Sequence, residues 1–428
     1  MKKLFIIPLL FCLSGALNAA INDPLSADLP LIGVSEVRGY ETGVAVPAAP
    51  AAPLQRSRED DAVLGALTDA QWDAILSGQP WEPAPFSSKE LFSDFQIRYI
   101  ARGRVSFKTE PPLFTTRTGR VFRLVNYPPW LREAGDTPIC VEGYLKQRDD
   151  ASEFKITRML PPDALDILER TPEMRALERD PYIMSRRGGR YLLGNVNWNI
   201  RHDSAGNRIR DAHGNMLSKW ESGVTVKPEL LENVYFVKKS DLKPVKHGGH
   251  GLLMFTFKPG GVVTADGRLA RGLTITLDGY HKSSAEMAYD IVAALKGKYT
   301  VYYTIQTIER YTEYRVAERP EVMYPYPLRL SRPQQLRLLD AAIAKATEKN
   351  VGEMYDLIYN SCANSILSII NSVLEDGRKI KAGWLPEIIY RVRTAAPDAI
   401  AALLLKKKIA ERPLPEINGR NFRETVAF

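Results

Sequence analysis

The sequence is poor in the residues that build metal centres. Its 428 residues include only 3 cysteines and 5 histidines. Among the histidines only His247 and His250 are close together in the chain, and two further ligands are missing from their neighbourhood. We therefore predict a protein that holds no metal and no cofactor.

Long apolar runs are scarce beyond the first twenty residues. The longest candidate, Ala399 to Leu405, is closed by three lysines and falls far short of the roughly 20 apolar residues that a membrane-spanning helix needs. Concentrated positive charge is also missing, because 58 basic residues face 50 acidic ones and no basic block is interleaved with aromatic residues. We predict no transmembrane segment after processing and no nucleic-acid partner.

The N-terminus has the pattern of a secretory signal peptide. Lys2 and Lys3 precede an apolar run from Leu4 to Leu13, and small residues at Ala19 and Ala20 suit a cleavage site. The sequence therefore predicts a signal peptide over residues 1–20 and a periplasmic or otherwise exported protein.

The remaining chain has room for two or three domains, and a hydrophobic content of 45% can fill their cores. Residues 21–59 are interpreted as a linker rich in proline and alanine, and residues 60–180 as a β-rich accessory domain. After a helical stretch over 61–78, this domain has four segments that alternate apolar and polar residues: 95–107, 120–127, 139–146 and 153–159. They predict a small β-barrel or curled sheet, which resembles an oligonucleotide/oligosaccharide-binding barrel at the level of the fold only.

The rest of the chain is divided by its turn residues. Residues 181–223 are predicted to be a connector with turns, because the pattern Asp-x-x-Gly-Asn occurs at Asp203 and again at Asp211. Helices are predicted over 163–179 and 284–296. A larger unit is predicted over 224–395, and residues 396–428 are interpreted as a tail.

One cysteine lies where a nucleophile would be activated. Asn360, Ser361 and Cys362 precede an apolar run whose spacing predicts an amphipathic helix with Cys362 in its first turn, Ser361 or Asn360 as its cap and Gly377 as its end. The positive end of a helix dipole favours the thiolate. Cys362 is therefore a candidate nucleophile, although a small buried apolar residue or a disulfide with Cys140 are alternative interpretations.

A candidate base precedes that cysteine by more than a hundred residues. His250 begins a strand that runs to Phe257, and a second strand follows over Arg271 to Leu277. A tight hairpin at Asp266-Gly267 would put His250 opposite Ser283, with His281 diagonal to it. A wide loop would put His250 opposite Gly279, with Asp278 beside it. Both registers predict a second polar group, Asp278 or His281, that holds the imidazole.

Several motifs resemble the Lnb N-terminal periplasmic domain family over roughly Val224 to Arg393. In chain order they are Gly249-His250 before an apolar strand, Tyr311 to Arg319, Tyr326-Pro-Leu-Arg-Leu-Ser331, Asn360-Ser361-Cys362 and Trp384-Leu-Pro386. The resemblance implies an α+β fold with a circularly permuted papain-like (NlpC-like) domain, behind the small β-rich, barrel-like domain. It also implies Cys362 as nucleophile and His250 as base.

The chain departs from the family's motifs at two places, and the resemblance still implies an enzyme. The family commonly has Gly-His-Thr and Asn-Asn-Cys-Thr-Thr, whereas this chain has Gly251 after His250 and Ser361, Ala363 and Asn364 around Cys362. The expected function is a thiol hydrolase or acyltransferase that forms an acyl-enzyme on an amide or ester of the cell envelope, such as a peptidoglycan peptide or a lipoprotein or lipid acyl group. The alternative is a non-catalytic envelope-binding module that keeps the fold.

Overall fold

The computed structural model describes residues 95–426 except 135–136, 147–152, 163, 165–178, 212–213, 215, 242–248, 281–298, 319–320, 349–351, 357–358 and 382–393. The predicted signal peptide, the linker and the helix over 61–78 lie outside the described residues. So do His281, the motif at Trp384, the predicted helix over 284–296 and nearly all of the one over 163–179. The described residues form an α+β structure in which strands predominate, as the α+β prediction requires.

Residues 95–160 form a closed five-stranded barrel in the order β1-β2-β3-β5-β4. Its elements are β1 Phe95–Ser106, β2 Leu113–Thr116, β3 Val121–Leu124, α1 Trp130–Glu133, β4 Ile139–Lys146 and β5 Glu153–Leu160. Successive side chains of a strand point to opposite faces, so every second residue of each strand points into the barrel. Phe114, Phe122 and Phe154 occupy such inward positions and are buried beside Tyr99. This agrees with the barrel that the alternating segments predicted, although β2 was not foreseen.

Two sheets follow the barrel. Their strands are β6 Tyr182–Arg187, β7 Arg190–Gly194, β8 Val196–Ile200, β9 Ser218–Glu221, β10 Val224–Val226, β11 Leu231–Asp241, β12 His250–Phe257, β13 Val262–Val263, β14 Leu269–Ala270, β15 Gly272–Tyr280, β16 Thr300–Thr307 and β17 Glu321–Pro327. One sheet has the order β14-β13-β10-β7-β6, and the other has the order β17-β11-β12-β15-β16-β8-β9.

The segment predicted to be a connector, 181–223, supplies strands to both sheets. The predicted turn at Asp203 is present, because its Oδ1 accepts hydrogen bonds from the backbone N–H groups of Ala205 and Asn207. The turns were recognised from their residue types, but the strands β6 and β9 were not foreseen.

Helices cover both faces of the seven-stranded sheet. They are α2 Ile308–Thr312, which continues as a π-helical turn over Glu313–Ala317, then α3 Arg332–Thr347, α4 Cys362–Ser372, α5 Pro397–Lys406 and α6 Phe422–Val426, with a 3-10 turn at Pro228–Leu230. A capping box of Ser331 and Gln334 begins α3. The main core lies between the sheet and α3, α4 and α5, while α2 packs on the other face. In the described part of the chain, no helix has both the length and the apolar character needed to cross a membrane.

Residues 396–428, predicted to be a tail, are part of the fold where they are described. Helix α5 buries Ile400 and Leu404 in the main core. Ile417 exchanges two backbone hydrogen bonds of 2.9 Å with Met323 on β17. The spacing of the apolar residues before the three lysines at 406–408 is that of a helix with one buried face, and this signal outweighs the charge of the lysines.

Phe154→Ala tests how far the barrel depends on its aromatic core. Loss of a buried phenylalanine side chain costs about 3–5 kcal/mol of unfolding free energy, and Phe154 is fully buried against the rings of Tyr99, Phe114 and Phe122. Urea denaturation should show this loss as a lower free energy of unfolding. Val121→Ala, at a side chain that is 52% exposed, is the control and should change stability by less than about 0.5 kcal/mol. Equal effects of the two substitutions would contradict this packing.

Candidate active site

Cys362 is the first residue of α4, as the sequence predicted. Ser361 caps the helix, since its Oγ accepts a hydrogen bond of 3.3 Å from the backbone N–H of Asn364. The helix ends at Ser372, five residues before Gly377. The Cys362 side chain therefore lies at the positive end of an eleven-residue helix and is 7% exposed.

The start of α4 packs directly on the first residues of β12. A Cβ placed on Gly251 would lie 3.5 Å from the Cα of Ala363, which is an ordinary van der Waals contact. The close approach therefore does not depend on glycine at this position. It brings Cys362 beside His250, which is the residue before Gly251.

Cys362 and His250 shift each other's pKa. Burial alone would raise the pKa of the Cys362 thiol, but the charge of His250, its hydrogen bond to the sulfur and the N–H of Gly251 together lower that pKa below its ordinary value. Burial alone would likewise lower the pKa of His250, but the charges of Cys362 and Asp278 and the hydrogen bond to the sulfur raise it. Both shifts favour a thiolate beside an imidazolium.

Two side chains of β15 lie beside Nε2 of the imidazole. His250 Nε2 lies 2.5 Å from Thr276 Oγ1 and 3.6 Å from Asp278 Oδ1. The Thr276 hydroxyl donates to the backbone oxygen of Gly251 at 3.3 Å, so its oxygen can accept the proton of Nε2. Thr276 is completely buried, whereas the Asp278 side chain is 20% exposed. Thr276 is therefore the direct partner of the ring, and Asp278 acts on it mainly through charge.

The observed register explains why Asp278 is near His250. Thr256 pairs with Gly272 and Leu253 with Ile275, and continuing this register brings His250 level with Asp278. A hairpin does close around Asp266-Gly267, but it joins β13 and β14 in the other sheet. The predicted pairing of His250 with Ser283 is therefore wrong. The wide-loop alternative put His250 opposite Gly279, which is one residue from the observed register. The other predicted partner, His281, lies outside the described residues.

A buried ion pair lies on the opposite side of His250. Lys239 on β11 is paired with His250 across the sheet, and its Nζ is 2.8 Å from Glu321 Oε1 on β17. The charge of Lys239 lowers the pKa of His250, against the stronger effects of Cys362 and Asp278. Glu321 offsets this opposing charge and also lies 3.7 Å from Arg315 Nη1.

The two described cysteines are not joined to each other. Cys140 lies in β4 of the barrel, and both Cys140 and Cys362 are buried free thiols. The disulfide that the sequence left open is therefore not formed. Among the described residues, no group of three His, Cys, Asp or Glu side chains is arranged to hold a metal ion.

Sequence reasoning missed Thr276 and Lys239. Thr276 lies two residues before Asp278 and so on the same face of the strand, which is a signal that was available. Lys239 belongs to a strand that the sequence analysis did not recognise, so its position opposite His250 could not be foreseen.

Thr276→Val tests the contact with His250. Valine keeps the shape of threonine but cannot accept the Nε2 proton, so the ring loses a hydrogen bond that is worth about 1.5–3 kcal/mol if it is charged. We expect the alkylation rate of Cys362 at neutral pH to fall about tenfold or more. Thr276→Ser should restore most of the rate.

The matched control is Thr304→Val on the neighbouring strand. Thr304 pairs with Thr276 across the sheet and is equally buried, but its hydroxyl accepts from Gln306 instead. This variant should alkylate like the wild type. A Thr276→Val protein that also behaves like the wild type would contradict a role for Thr276 in orienting His250.

Comparison with known families agrees with the resemblance of the motifs. Residues 218–392 match the family model of the Lnb N-terminal periplasmic domain, which confirms the family expected from the sequence. The match spans less than half of the chain and includes Cys362, His250, Thr276 and Asp278. No curated protein and no solved structure is significantly similar to the chain.

Proposed function

We propose, since residues 218–392 match a family of periplasmic domains, that this chain is an exported thiol hydrolase or acyltransferase that acts on an amide or ester of the cell envelope. The observation that carries the proposal is the contact between Cys362 and His250. It combines a thiol of lowered pKa, a helix N-terminus and an oriented imidazole, which is the arrangement that nucleophilic thiol catalysis requires.

The proposed reaction begins with transfer of the Cys362 proton to His250. Because Nε2 donates to Thr276, the proton is assigned to Nδ1. The thiolate then attacks the carbonyl carbon of the substrate, and the electron pair of the carbonyl bond moves to oxygen. Backbone N–H groups at the start of α4 are the candidate donors to that oxyanion.

Collapse of this intermediate gives the acyl-enzyme. The carbonyl bond re-forms, the bond to the leaving amine or alcohol breaks, and the imidazolium returns its proton to the leaving group. Water or an amine then gives a proton to His250 and takes the acyl group from sulfur, which restores the free thiol. Water makes the protein a hydrolase, and an amine makes it an acyltransferase.

The order of elements supports a circularly permuted papain-like arrangement. The histidine lies on a strand that precedes the cysteine helix in the chain, and the helix packs on that strand. In this arrangement Cys362 is the nucleophile and His250 the base. Thr276 orients the ring, and Asp278 stabilises the imidazolium.

A non-catalytic envelope-binding module is the second candidate. The burial of Cys362, which is only 7% exposed, favours it, because a substrate must reach the sulfur. In that case the protein would bind an envelope component without forming an acyl-enzyme.

An activated ester distinguishes the two candidates. Incubation with p-nitrophenyl acetate should release p-nitrophenolate and leave an acetyl group on the peptide that contains Cys362, as measured by mass spectrometry. Removal of a general base costs about 10²–10⁴ in rate, so His250→Ala should acylate more slowly by such a factor. Cys362→Ala should form no adduct.

Cys140→Ala is the control for the second buried thiol and should acylate like the wild type. A binding module would give no adduct on Cys362 in any of these proteins. An adduct that forms at the same rate in the wild type and in His250→Ala would contradict His250 as the base.

A further inference from the structure

The segment Gly352–Tyr355 joins the barrel to the seven-stranded sheet. On one side, Gly352 accepts from the N–H of Ile100 and Met354 donates to the oxygen of Arg98, both at 2.9 Å. On the other side, Glu353 accepts from Val301, and Tyr355 donates to Tyr299, both at 2.8 Å. The segment therefore pairs with β1 of the barrel along one edge and with the β16 region along the other.

Strand β1 has a place for this segment. Its end, Gly103–Ser106, pairs with β2, whereas β4 pairs along Phe95–Gly103 on the opposite edge. The edge at Arg98–Ile100 is therefore free of β2 and takes the segment instead. Without this segment, the N–H of Ile100 and the backbone oxygen of Arg98 would lack these partners.

The side chain of Glu353 lies inside a cluster of charges drawn from both units. Its Oε2 is 3.8 Å from Arg120 Nη1 of the barrel and 3.6 Å from Lys345 Nζ of α3. Glu348 pairs with the same two cations, at 2.6 Å and 2.9 Å. Burial alone would raise the pKa of Glu348, but Lys345 and Arg120 lower it. Two cations and two anions thus balance at this interface, where Glu353 is buried and Glu348 and Lys345 are partly exposed.

The other carboxylate oxygen of Glu353 reaches the turn that presents Cys362. Asn360 Nδ2 donates to Glu353 Oε1 and to the backbone oxygen of Met354, both at 3.0 Å. Asn360 Oδ1 accepts from Ser365 Oγ at 3.2 Å, in the first turn of α4. Asn360, Glu353 and Met354 are all buried. One amide side chain therefore fixes the approach to the helix against the bridging segment.

We infer that Glu353 is a positioning residue for Cys362 and that the barrel is part of its support. Through the bridging segment and Arg120, the barrel holds Glu353. Glu353 in turn holds Asn360, two residues before the thiol, at the place where Cys362 meets His250. The barrel thus contributes to the reactivity of a thiol that it does not touch. This inference rests on the proposed function, because it concerns the same Cys362–His250 pair.

The test measures alkylation of Cys362 across pH, resolved by mass spectrometry of its peptide. Glu353→Leu removes the acceptor for Asn360, so the apparent pKa of the alkylation profile should rise and the rate below pH 7 should fall about tenfold, the factor that matches one buried hydrogen bond. Glu353→Gln keeps an acceptor oxygen and should stay near the wild type. If Glu353 only filled space, Glu353→Leu and Glu353→Gln would have the same effect on the profile.

Arg120→Met tests the contribution of the barrel. It removes the cation that faces Glu353 and should raise the apparent pKa by less than Glu353→Leu does. Arg104→Met, at an exposed position of strand β1 in the same barrel, is the control and should leave the profile unchanged. If Glu353→Leu fails to fold, a wild-type profile for Arg120→Met overturns the inference.

The double variant Glu353→Leu/His250→Ala shows whether the effect acts through the pair. It should alkylate like His250→Ala alone, because the lost contact is then already absent. An equal fold-change from Glu353→Leu with and without His250 would indicate altered access to the thiol and overturn the inference. A wild-type profile for His250→Ala would instead count against the proposed function. A shift in His250→Ala without one in folded Glu353→Leu would overturn only this inference.

Discussion

The contact between Cys362 and His250 is possible only because the surrounding structure overcomes the cost of burying two titratable groups. Burial favours the neutral form of each, and it is the largest single influence on both. Their mutual charge and hydrogen bond reverse that preference, but these effects fall off quickly with distance. The geometry at the start of α4 therefore decides whether Cys362 is a nucleophile or an inert buried thiol.

Each side of the pair has its own support. The histidine is held from β15 by Thr276 and Asp278, while Glu321 offsets the charge of Lys239 on its other side. The cysteine is held from the opposite direction, by the Ser361 cap and by the turn around Asn360. The supports of His250 come from the sheet, and those of Cys362 come from the turn that the bridging segment holds. The contact between the two residues therefore depends on how the barrel and the sheet pack together.

The parts of the site that arise from local sequence were predictable. The helix start at Cys362, its cap Ser361 and the strand from His250 follow from residue type and spacing within about ten residues. The position of Asp278 required a register, and the register depends on a loop whose residues pair in another sheet. The link from Arg120 through Glu353 to Asn360 joins segments more than two hundred residues apart, so no local pattern indicates it.

In the fold, too, local features could be predicted and features that depend on distant segments could not. Alternating segments predicted a barrel, but the strands β2 and β9 have only four residues each, too few for their periodicity to be recognised. The apolar residues of α5 carried a helical signal, but nothing near them in the chain shows which surface they cover. In each case the missing information was the partner surface, which the chain supplies from a distant segment.

If His250 stabilises a thiolate on Cys362, the ultraviolet absorbance of that thiolate should report it. The absorbance is titrated as the difference between the wild type and Cys362→Ser. We expect Cys362 to ionise below the ordinary range of a free thiol and the titration to move upward in His250→Ala. A wild-type titration at or above that range, unchanged by His250→Ala, would contradict this stabilisation.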